Sequence, residues 1–437
     1  MIRFILPVLL VLGALPARAG VEIKELTTPG GINAWLVEDH SIPFVALELR
    51  FRGGTSLDAP GKRGAVNLMT GLLEEGAGDL DARGFARETE ALAATFKYDA
   101  DPDAISISAR FLSENRDDAL ALLRETLVNP RFEEDALERV RAQVISIIQS
   151  NAKDPSEIGG EAFARLVYGE HPYGSSQEGT VESVTALTRD DIVAAHAATL
   201  ARDRLYVSAV GDVTEQELAT ILDTLLGDLP ESGAELSADA TLNMPGGIKV
   251  VDYETPQSIA TFAQPGLERE HPDFFAAFVL NHILGGGGFE SRLMHEVREK
   301  RGLTYGVYSY LADRDGAQIW TGRVASANDR IAEAVDVIKA EWARMRDEGV
   351  TAKELEDAKT YLTGAYPLRF DGNGPIANIA VGMQIDGLGT DYIATRNDRV
   401  DAVTLDDINR VARELLDPES LTFVVVGQPE GLSGTIN

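Results

Sequence analysis

The sequence predicts an α+β protein built from two tandem homologous domains, each a mainly antiparallel β-sheet with flanking helices. Three observations lead to this prediction. The chain has 437 residues, which is more than a single hydrophobic core normally serves. Short sequence patterns recur at a nearly constant offset, as expected for a duplicated unit. Strands are grouped by hairpin-like turns rich in Asp, Gly and Pro, and helices are gathered separately, which disfavours a doubly wound parallel sheet.

The repeat consists of four elements that occur in the same order in each half. They are an alternating strand, a serine that is a candidate helix N-cap, an Asp-Asp helix start, and a strand ending in Val-Gly. The first half has them at 105–111, Ser113, 188–192 and 207–211, and the second half at 318–324, Ser326, 404–408 and 424–427. The offset is 213 residues for the earlier pairs and 216 for the later ones, so duplication explains the matches better than chance.

These matches define the predicted domain boundaries. Residues 20–231 form the N-terminal domain and residues 248–437 the C-terminal domain. Between them, residues 232–247 are small and polar and end in Pro-Gly-Gly, a composition typical of an exposed linker.

Composition excludes several classes of function. The chain has 40 Lys and Arg against 70 Asp and Glu, a formal charge of −30, and such an acidic surface disfavours nucleic-acid binding. Hydrophobic residues make up 44% and charged residues 25%, which is ordinary for a globular protein. There is no cysteine, so disulfides, thiolate chemistry and cysteine-ligated metals are excluded. Any metal site would need His, Asp and Glu.

The first 19 residues resemble a secretory signal peptide. A short basic start is followed by an apolar run over 4–15, and 17–19 (ARA) provide a small-x-small cleavage pattern before Gly20. A membrane anchor is the alternative, but a spanning helix needs about 20 apolar residues, and Pro16 and Arg18 end this run earlier. Removal of residues 1–19 takes away two arginines and no acidic residue, which leaves the mature chain with a formal charge of −32. We expect a periplasmic or secreted protein with no membrane span after signal removal.

Four local strings carry a resemblance to a known family. They are 171–174 (HPYG), 179–180 (GT), 284–293 (LGGGGFESRL) and 298–305 (REKRGLTY). In this order they resemble the pitrilysin/insulinase family of zinc peptidases, in its processing-peptidase-like branch. The resemblance covers essentially the whole mature chain. It implies two tandem domains of the LuxS/processing-peptidase-like metalloenzyme fold, and two such chains that close as a clam-shell dimer around an unfolded peptide.

The family's zinc motif, His-x-x-Glu-His, is degenerate in this sequence. Two histidines one helical turn apart would bind the metal, and the glutamate between them would activate water. On the matching helix these three positions hold Asn67, Thr70 and Gly71, and the position of the third ligand, a glutamate on a later helix, holds Ile147. The resemblance therefore implies that this chain holds no catalytic zinc.

A replacement site is not evident among the histidines. The six are His40, His171, His196, His271, His282 and His295. No two are spaced i, i+3 or i, i+4, the spacing that places two ligands on one helix face. We interpret each of them as structural.

The second half retains an arginine and a tyrosine seven residues apart, Arg298 and Tyr305. The resemblance implies that this pair binds the substrate backbone in the active site of a facing zinc subunit, and both groups can stabilise developing negative charge. Another interpretation is structural. Arg298, Lys300 and Arg301 before Gly302 are typical of a helix C-terminus, and Tyr305 could begin a half-buried strand over 305–310.

The glycine run has three interpretations. Gly285, Gly286, Gly287 and Gly288 resemble the glycine-rich loop that binds peptide in non-catalytic processing-peptidase subunits, although the run is shorter here. A phosphate loop is disfavoured because no Gly-Lys-Ser/Thr follows. Close backbone packing at a turn is the third interpretation.

The resemblance implies a non-catalytic partner subunit of an exported heterodimeric zinc metallopeptidase, with zinc on the homologous partner and no cofactor on this chain. The substrate would be a peptide or an unfolded protein. A mature charge of −32 fits a chamber that prefers basic or unfolded peptides, and equally a soluble acidic surface. Two alternatives stay open: a peptide-binding or scaffold protein without a peptidase role, and a zinc endopeptidase in its own right.

Overall fold

A computed structural model of the chain describes residues 21–436, so the predicted signal peptide over 1–19 lies outside the described residues. Two large β-sheets with helices packed on them confirm the predicted α+β class and the two-domain fold. Among the described helices, none combines the length and the apolar composition that a bilayer span requires.

The strands lie in three sheets. They are β1 Lys24–Thr27, β2 Asn33–Glu38, β3 Phe44–Arg52, β4 Gly76–Ala77, β5 Leu80–Asp81, β6 Thr95–Ala100, β7 Ala104–Leu112, β8 Leu205–Gly211, β9 Gly247–Asp252, β10 Gln257–Pro265, β11 Val307–Arg314, β12 Ala317–Ala327 and β13 Thr422–Gly427.

The helices surround the two large sheets. They are α1 Ala65–Leu72, α2 Ala82–Ala91, α3 Arg116–Val128, α4 Glu134–Asn151, α5 Pro155–Tyr168, α6 Val181–Ala186, α7 Arg189–Thr199, α8 Glu215–Leu226, α9 Phe274–Asn281, α10 Ile331–Glu348, α11 Ala352–Ala365, α12 Asn373–Ile385, α13 Tyr392–Ala402 and α14 Leu405–Leu415.

The two sheets have the same strand order, as the sequence repeats predict. The first sheet is ordered β1-β2-β8-β3-β7-β6 and the second β11-β12-β10-β13-β9. Apart from the extra edge strand β1, the orders superimpose, with β2 matching β9 and β6 matching β11. In both sheets one pair is parallel, β2 with β8 and β9 with β13, and the other described pairs are antiparallel.

The predicted Asp-Asp helix starts are confirmed in both halves. Thr188 caps α7 and Thr404 caps α14, each in a capping box with the aspartate three residues later, Asp191 or Asp407. In this motif two backbone N–H groups without helical partners are satisfied reciprocally.

The predicted serine N-caps are wrong. Ser113 opens a 3₁₀ turn before α3 and donates to Asp212, 2.5 Å away, while the N-cap residue is Asn115. Strand β12 continues through Ser326, whose hydroxyl donates to the carbonyl oxygen of Leu303. In both cases a tertiary acceptor outcompetes the helix start.

The two halves exchange helices. Helix α5, from the first half, packs on β10 and β13 of the second sheet, and α12, from the second half, packs on β3 and β8 of the first sheet. The α5 interface is apolar and buries Phe163 and Val167 against strand residues that include Ile319. The α12 interface buries fewer apolar side chains and is more polar: Ala377 packs on the sheet, and the Gln384 amide donates to the Val207 carbonyl oxygen at 2.8 Å.

The segment between the halves is more fixed than its composition indicates. Residues 232–247 are the predicted linker, yet Leu242 and Met244 pack against the apolar cluster that includes Phe163 and Val167 of α5. The Asn243 N–H donates to the Val167 carbonyl oxygen at 2.8 Å, and the Ala240 N–H to that of Gly316 at 2.8 Å. The segment therefore lies along the surface where α5 meets the second sheet.

We predict that Phe163→Ala destabilises the whole chain, because α5 connects the first half to the second sheet. Phe163 is buried, and removing such a ring typically costs about 3 to 5 kcal/mol. Urea unfolding followed by circular dichroism should show one transition at lower urea. Exposed Glu161 of the same helix provides the control, since Glu161→Ala should leave the midpoint nearly unchanged. An early transition confined to half of the signal would contradict this coupling.

Candidate functional site

Helix α1, which carries the first zinc-motif positions, is packed as a structural helix. Thr70 is buried and its hydroxyl donates to the Val66 carbonyl oxygen at 2.9 Å. A Cβ on Gly71 would lie 3.3 Å from Val140 Cγ1 of α4, so glycine permits a close approach of the two helices. A histidine at position 71 would first have to displace Val140.

The remaining positions do not assemble a metal site. Asn67 is partly buried on α1, and Ile147 of α4 is 49% exposed. Within residues 21–436, no group of three His, Asp or Glu side chains is placed to hold a metal ion. The residues at the family's ligand positions are amide, glycine and alkyl groups, which do not fit a zinc ion.

The histidines have local structural contacts. Their partners differ: His40 pairs with Asp212, His171 with the Ala238 carbonyl oxygen, His196 with that of Leu127, His271 with the Asp273 N–H, His282 with the Tyr361 ring, and His295 with Glu299. Burial lowers the pKa of His196 and of His282, which favours the neutral imidazole in packed surroundings.

The glycine run extends α9 and lets it pack closely on β11. Residues His282–Gly286 form a π-helical turn. A Cβ on Gly285 would lie 2.3 Å from Ser309 Oγ and 2.8 Å from Ser309 N, and Gly286 and Gly287 approach Asn281 and His282 comparably closely. Gly288 differs, because its φ of +59° requires the left-handed region and its Cβ position is open. Close packing thus accounts for the first three glycines.

A buried polar network stabilises this junction. The Asn281 side-chain oxygen accepts from the Ser309 hydroxyl at 2.7 Å and from Trp320 Nε1 at 2.8 Å. The Asn281 amide nitrogen donates to the Ser309 carbonyl oxygen at 3.2 Å. The glycine run and β11 are therefore fixed relative to each other.

Arg298 lies in a second π-helical turn, Met294–Glu299, which is fixed by a buried carboxylate. Glu296 is 5% exposed. It accepts hydrogen bonds from Lys300 at 2.6 Å and from Arg301 at 2.8 Å. Burial alone would raise the pKa of Glu296, but these two cations and nearby Arg344 lower it to about 2.

The other anchor of the same segment is Arg292. Its guanidinium binds both carboxylate oxygens of Glu354 at 2.7 and 2.9 Å and donates to the Gly349 carbonyl oxygen at 2.8 Å. Because Glu354 also caps α11, the segment is attached to the helical layer. Sequence reasoning missed both anchors, although the i, i+4 spacing of Glu296 and Lys300 is a readable signal.

The structure brings Arg298 to the end of the glycine run. Its guanidinium lies over the ring of Phe289, 4.8 Å from the centroid, a cation–π geometry. Within the described residues, no carboxylate pairs with Arg298. The helix-terminus interpretation holds for Lys300, Arg301 and Gly302, which has φ +60° and donates to the Arg298 carbonyl oxygen at 2.8 Å. It does not account for the Arg298 side chain.

Tyr305 is 90% exposed. It lies two residues before β11 begins, so the predicted start of a strand at this residue is wrong. The turn is closed by Thr304, whose hydroxyl bonds to Gly306 and to the Ala325 carbonyl oxygen at 2.6 Å. This closure aims the phenol of Tyr305 away from the packed core.

Comparisons with known proteins agree with this fold and site. Residues 34–181 match the family described as "Insulinase (Peptidase family M16)", and residues 186–362 match "Peptidase M16 inactive domain". The chain belongs to peptidase family M16, as a non-catalytic member whose zinc-ligand positions hold Asn67, Gly71 and Ile147. The predicted family is thus confirmed.

Individual relatives are similar over nearly the whole chain. The non-peptidase homolog YmxG of Helicobacter pylori is 27% identical over 389 residues, 89% of this chain and 90% of that protein. A probable mitochondrial-processing peptidase subunit beta of Schizosaccharomyces pombe is 24% identical, over 87% of this chain and 85% of that protein. The crystal structure of a peptidase M16 inactive domain from Pseudomonas fluorescens superimposes with a TM-score of 0.88 and 27% identity, covering 95% of this chain and 100% of that chain.

We predict that Glu296→Gln lowers the free energy of unfolding by about 3 kcal/mol at pH 7, the scale of breaking a buried ion pair. The folded-state pKa is below the ordinary value of 4.5, so the charge stabilises the fold above about pH 4.5, and this stabilisation is lost as pH falls towards 2. The difference in free energy of unfolding between Glu296→Gln and the wild type should therefore become smaller as the pH is lowered from 7 to 3, as measured by urea unfolding. Exposed Glu299 gives the matched control, Glu299→Gln, with an effect below about 0.5 kcal/mol. A gap that is constant with pH would refute the assignment.

We predict that Gly285→Ala costs about 1 to 3 kcal/mol, because the added methyl overlaps Ser309 backbone and side chain. The control is Gly382→Ala in α12, where the Cβ position is open and alanine should stabilise the helix slightly. Thermal unfolding distinguishes the two. Unchanged stability of Gly285→Ala would exclude the packing role of this glycine.

Proposed function

We propose that this chain is the non-catalytic partner subunit of an exported heterodimeric zinc metallopeptidase. In this proposal a homologous subunit with an intact His-x-x-Glu-His motif carries the zinc, and the two chains close as a clam shell around a peptide or an unfolded protein. This chain contributes Arg298, Tyr305 and half of the chamber. Export rests on the signal-like segment over residues 1–19.

The proposal rests on the observation that the side chains of Arg298 and Tyr305 are not part of the packed core. Lys300 and Arg301 neutralise Glu296. The Arg298 guanidinium lies over the Phe289 ring and, within residues 21–436, pairs with no carboxylate, and Tyr305 is almost fully exposed. Exposed side chains on a rigidly anchored segment are typical of functional positions rather than packing positions. This chain has Arg298 and Tyr305 although its own zinc positions are degenerate, which supports a role for the pair at another subunit's active site.

The two groups suit the chemistry of peptide hydrolysis. A guanidinium and a phenol both donate hydrogen bonds, to a substrate carbonyl in the ground state and more strongly to the oxygen that becomes negative as water attacks. Neither residue needs to transfer a proton. The anchoring of the Arg298 segment through Glu296 and Arg292 would limit the reorganisation required on substrate binding.

A peptide-binding or scaffold protein is the second candidate. It is favoured by the printed name of the Helicobacter pylori relative, a non-peptidase homolog. Under this alternative Arg298 and exposed Tyr305 would bind peptide without cleavage. A zinc endopeptidase in its own right receives no support from Asn67, Gly71 and Ile147.

The deciding experiment compares three samples: this chain, a zinc-motif homologue from the same organism, and their mixture. Size-exclusion chromatography with light scattering reports assembly, and a quenched-fluorescence peptide reports cleavage. We expect a 1:1 complex with activity well above that of either chain. Stoichiometric zinc and peptide cleavage by this chain alone would refute the proposal, and peptide capture without cleavage by the mixture would favour the scaffold.

We predict that Arg298→Ala and Tyr305→Phe each lower kcat of the mixed complex by about 10²- to 10³-fold, the scale of losing one transition-state donor. Assembly and thermal stability should be unchanged, because neither side chain contributes to the core. Tyr361→Phe, also at an exposed tyrosine, is the matched control. If both variants had the kcat of the wild type, Arg298 and Tyr305 would be ordinary surface residues without a role in catalysis.

A further inference from the structure

One face of the second sheet is only partly covered. Helix α5 lies over β10 and β13 on this face, and the same face continues onto β12 and the edge strand β11. There Tyr308 and Tyr310 are 47% and 49% exposed, with ring centroids 6.2 Å apart. We call the uncovered part, defined by Tyr308, Tyr310 and Arg323, the tyrosine face.

The strand residues on this side of the sheet carry a charge opposite in sign to that of the protein. Strand register places three basic residues on it, Lys249, Arg314 and Arg323, and no acidic residue. The whole chain has a formal charge of −30. A locally positive surface in an acidic protein concentrates anionic groups near it.

Arg323 is available for a ligand. It lies directly opposite Tyr308 across the β11–β12 ladder, and within the described residues its guanidinium has no carboxylate or hydrogen-bond partner. Arg314 is different, since its guanidinium packs over the Tyr168 and Tyr173 rings at 5.7 and 5.1 Å. A free guanidinium beside aromatic rings can bind a carboxylate in bidentate geometry.

The spacing of the rings matches an extended chain. Alternate side chains of a β-strand lie on one side, about 6.6 Å apart, close to the 6.2 Å between the two tyrosine rings. Each ring can therefore contact one of two alternate side chains, and aromatic partners gain the most from such contacts. Tyr305 precedes β11 by two residues, so the tyrosine face begins three residues along the chain from Tyr305 of the proposed site.

We infer that the tyrosine face binds an extended peptide segment whose acidic and aromatic side chains occupy alternate positions, so that both kinds of side chain point to the same side of the peptide. This inference names a substrate class for the proposed function, and its biological meaning rests on that function. A peptide with acidic and aromatic side chains differs from the basic peptides that the overall charge of the protein favours. The carboxylate binds Arg323 and the aromatic side chains pack on Tyr308 and Tyr310.

The test uses the full mature chain alone, without a partner subunit. Three fluorescein-labelled peptides are compared. The first carries Phe, Phe and Asp at successive alternate positions with Gly or Ser between them, the second has Lys in place of Asp, and the third has Ala in place of Phe. Fluorescence anisotropy should show the Asp/Phe peptide binding about tenfold tighter than either other peptide at low salt, with the preference over Lys decreasing in high salt.

Variants locate the binding. Arg323→Gln should abolish the preference for Asp over Lys, and Tyr308→Ala with Tyr310→Ala should weaken binding of the Asp/Phe peptide at least about fivefold. The double Phe variant at these positions should retain binding, which shows that the fold is intact. Controls are Arg87→Gln on exposed α2 and Tyr361→Ala, and both should bind as the wild type does.

Equal affinity for the Lys peptide, or equal losses in the control variants, would overturn the inference. A change in sedimentation coefficient on Tyr308→Ala with Tyr310→Ala, with peptide affinity retained, would assign the face to contacts between copies of this chain and would also overturn it. Because no partner is present, these outcomes are independent of the kcat measurements on the mixed complex. Peptide binding here together with an inactive mixture would refute the proposed function alone.

Discussion

The exchange of α5 and α12 is the constraint on which the rest of the structure depends. Each large sheet needs a cover on the face that its own helical layer does not reach, and each receives it from the other half of the chain. Burial of Phe163 and Val167 makes the α5 contact the more apolar of the two. Because α5 covers only part of the second sheet, the same exchange leaves Tyr308 and Tyr310 exposed.

The anchoring of one short segment determines the geometry of the proposed site. A carboxylate as buried as Glu296 is costly unless it is paired, and it is paired with Lys300 and Arg301, which lie at the end of the same turn. Arg298 is left to stack on Phe289, at the end of a glycine run that packs against β11. A structural ion pair and close glycine packing thus position side chains that the fold itself does not require.

Charge operates on two scales in this protein. The formal charge of −30 governs solubility and long-range attraction, whereas recognition depends on groups within a few ångströms. The tyrosine face has Arg323 without a carboxylate partner in the described part of the chain, and the register of β9 to β12 excludes acids from that side. A peptide that approaches along the acidic surface would therefore meet a basic and aromatic surface beside Tyr305.

The sequence by itself determined the α+β class and the duplication, because both depend on residue patterns along the chain. Its resemblance to the zinc-peptidase family implied the loss of the zinc motif. Capping boxes at Thr188 and Thr404 are local and were predictable for the same reason. Only the tertiary structure decided which sheet α5 covers, that Ser113 and Ser326 bond to distant acceptors, and that Glu296 is buried. These features depend on contacts between residues far apart in sequence, and a side chain's burial is set by what packs on it.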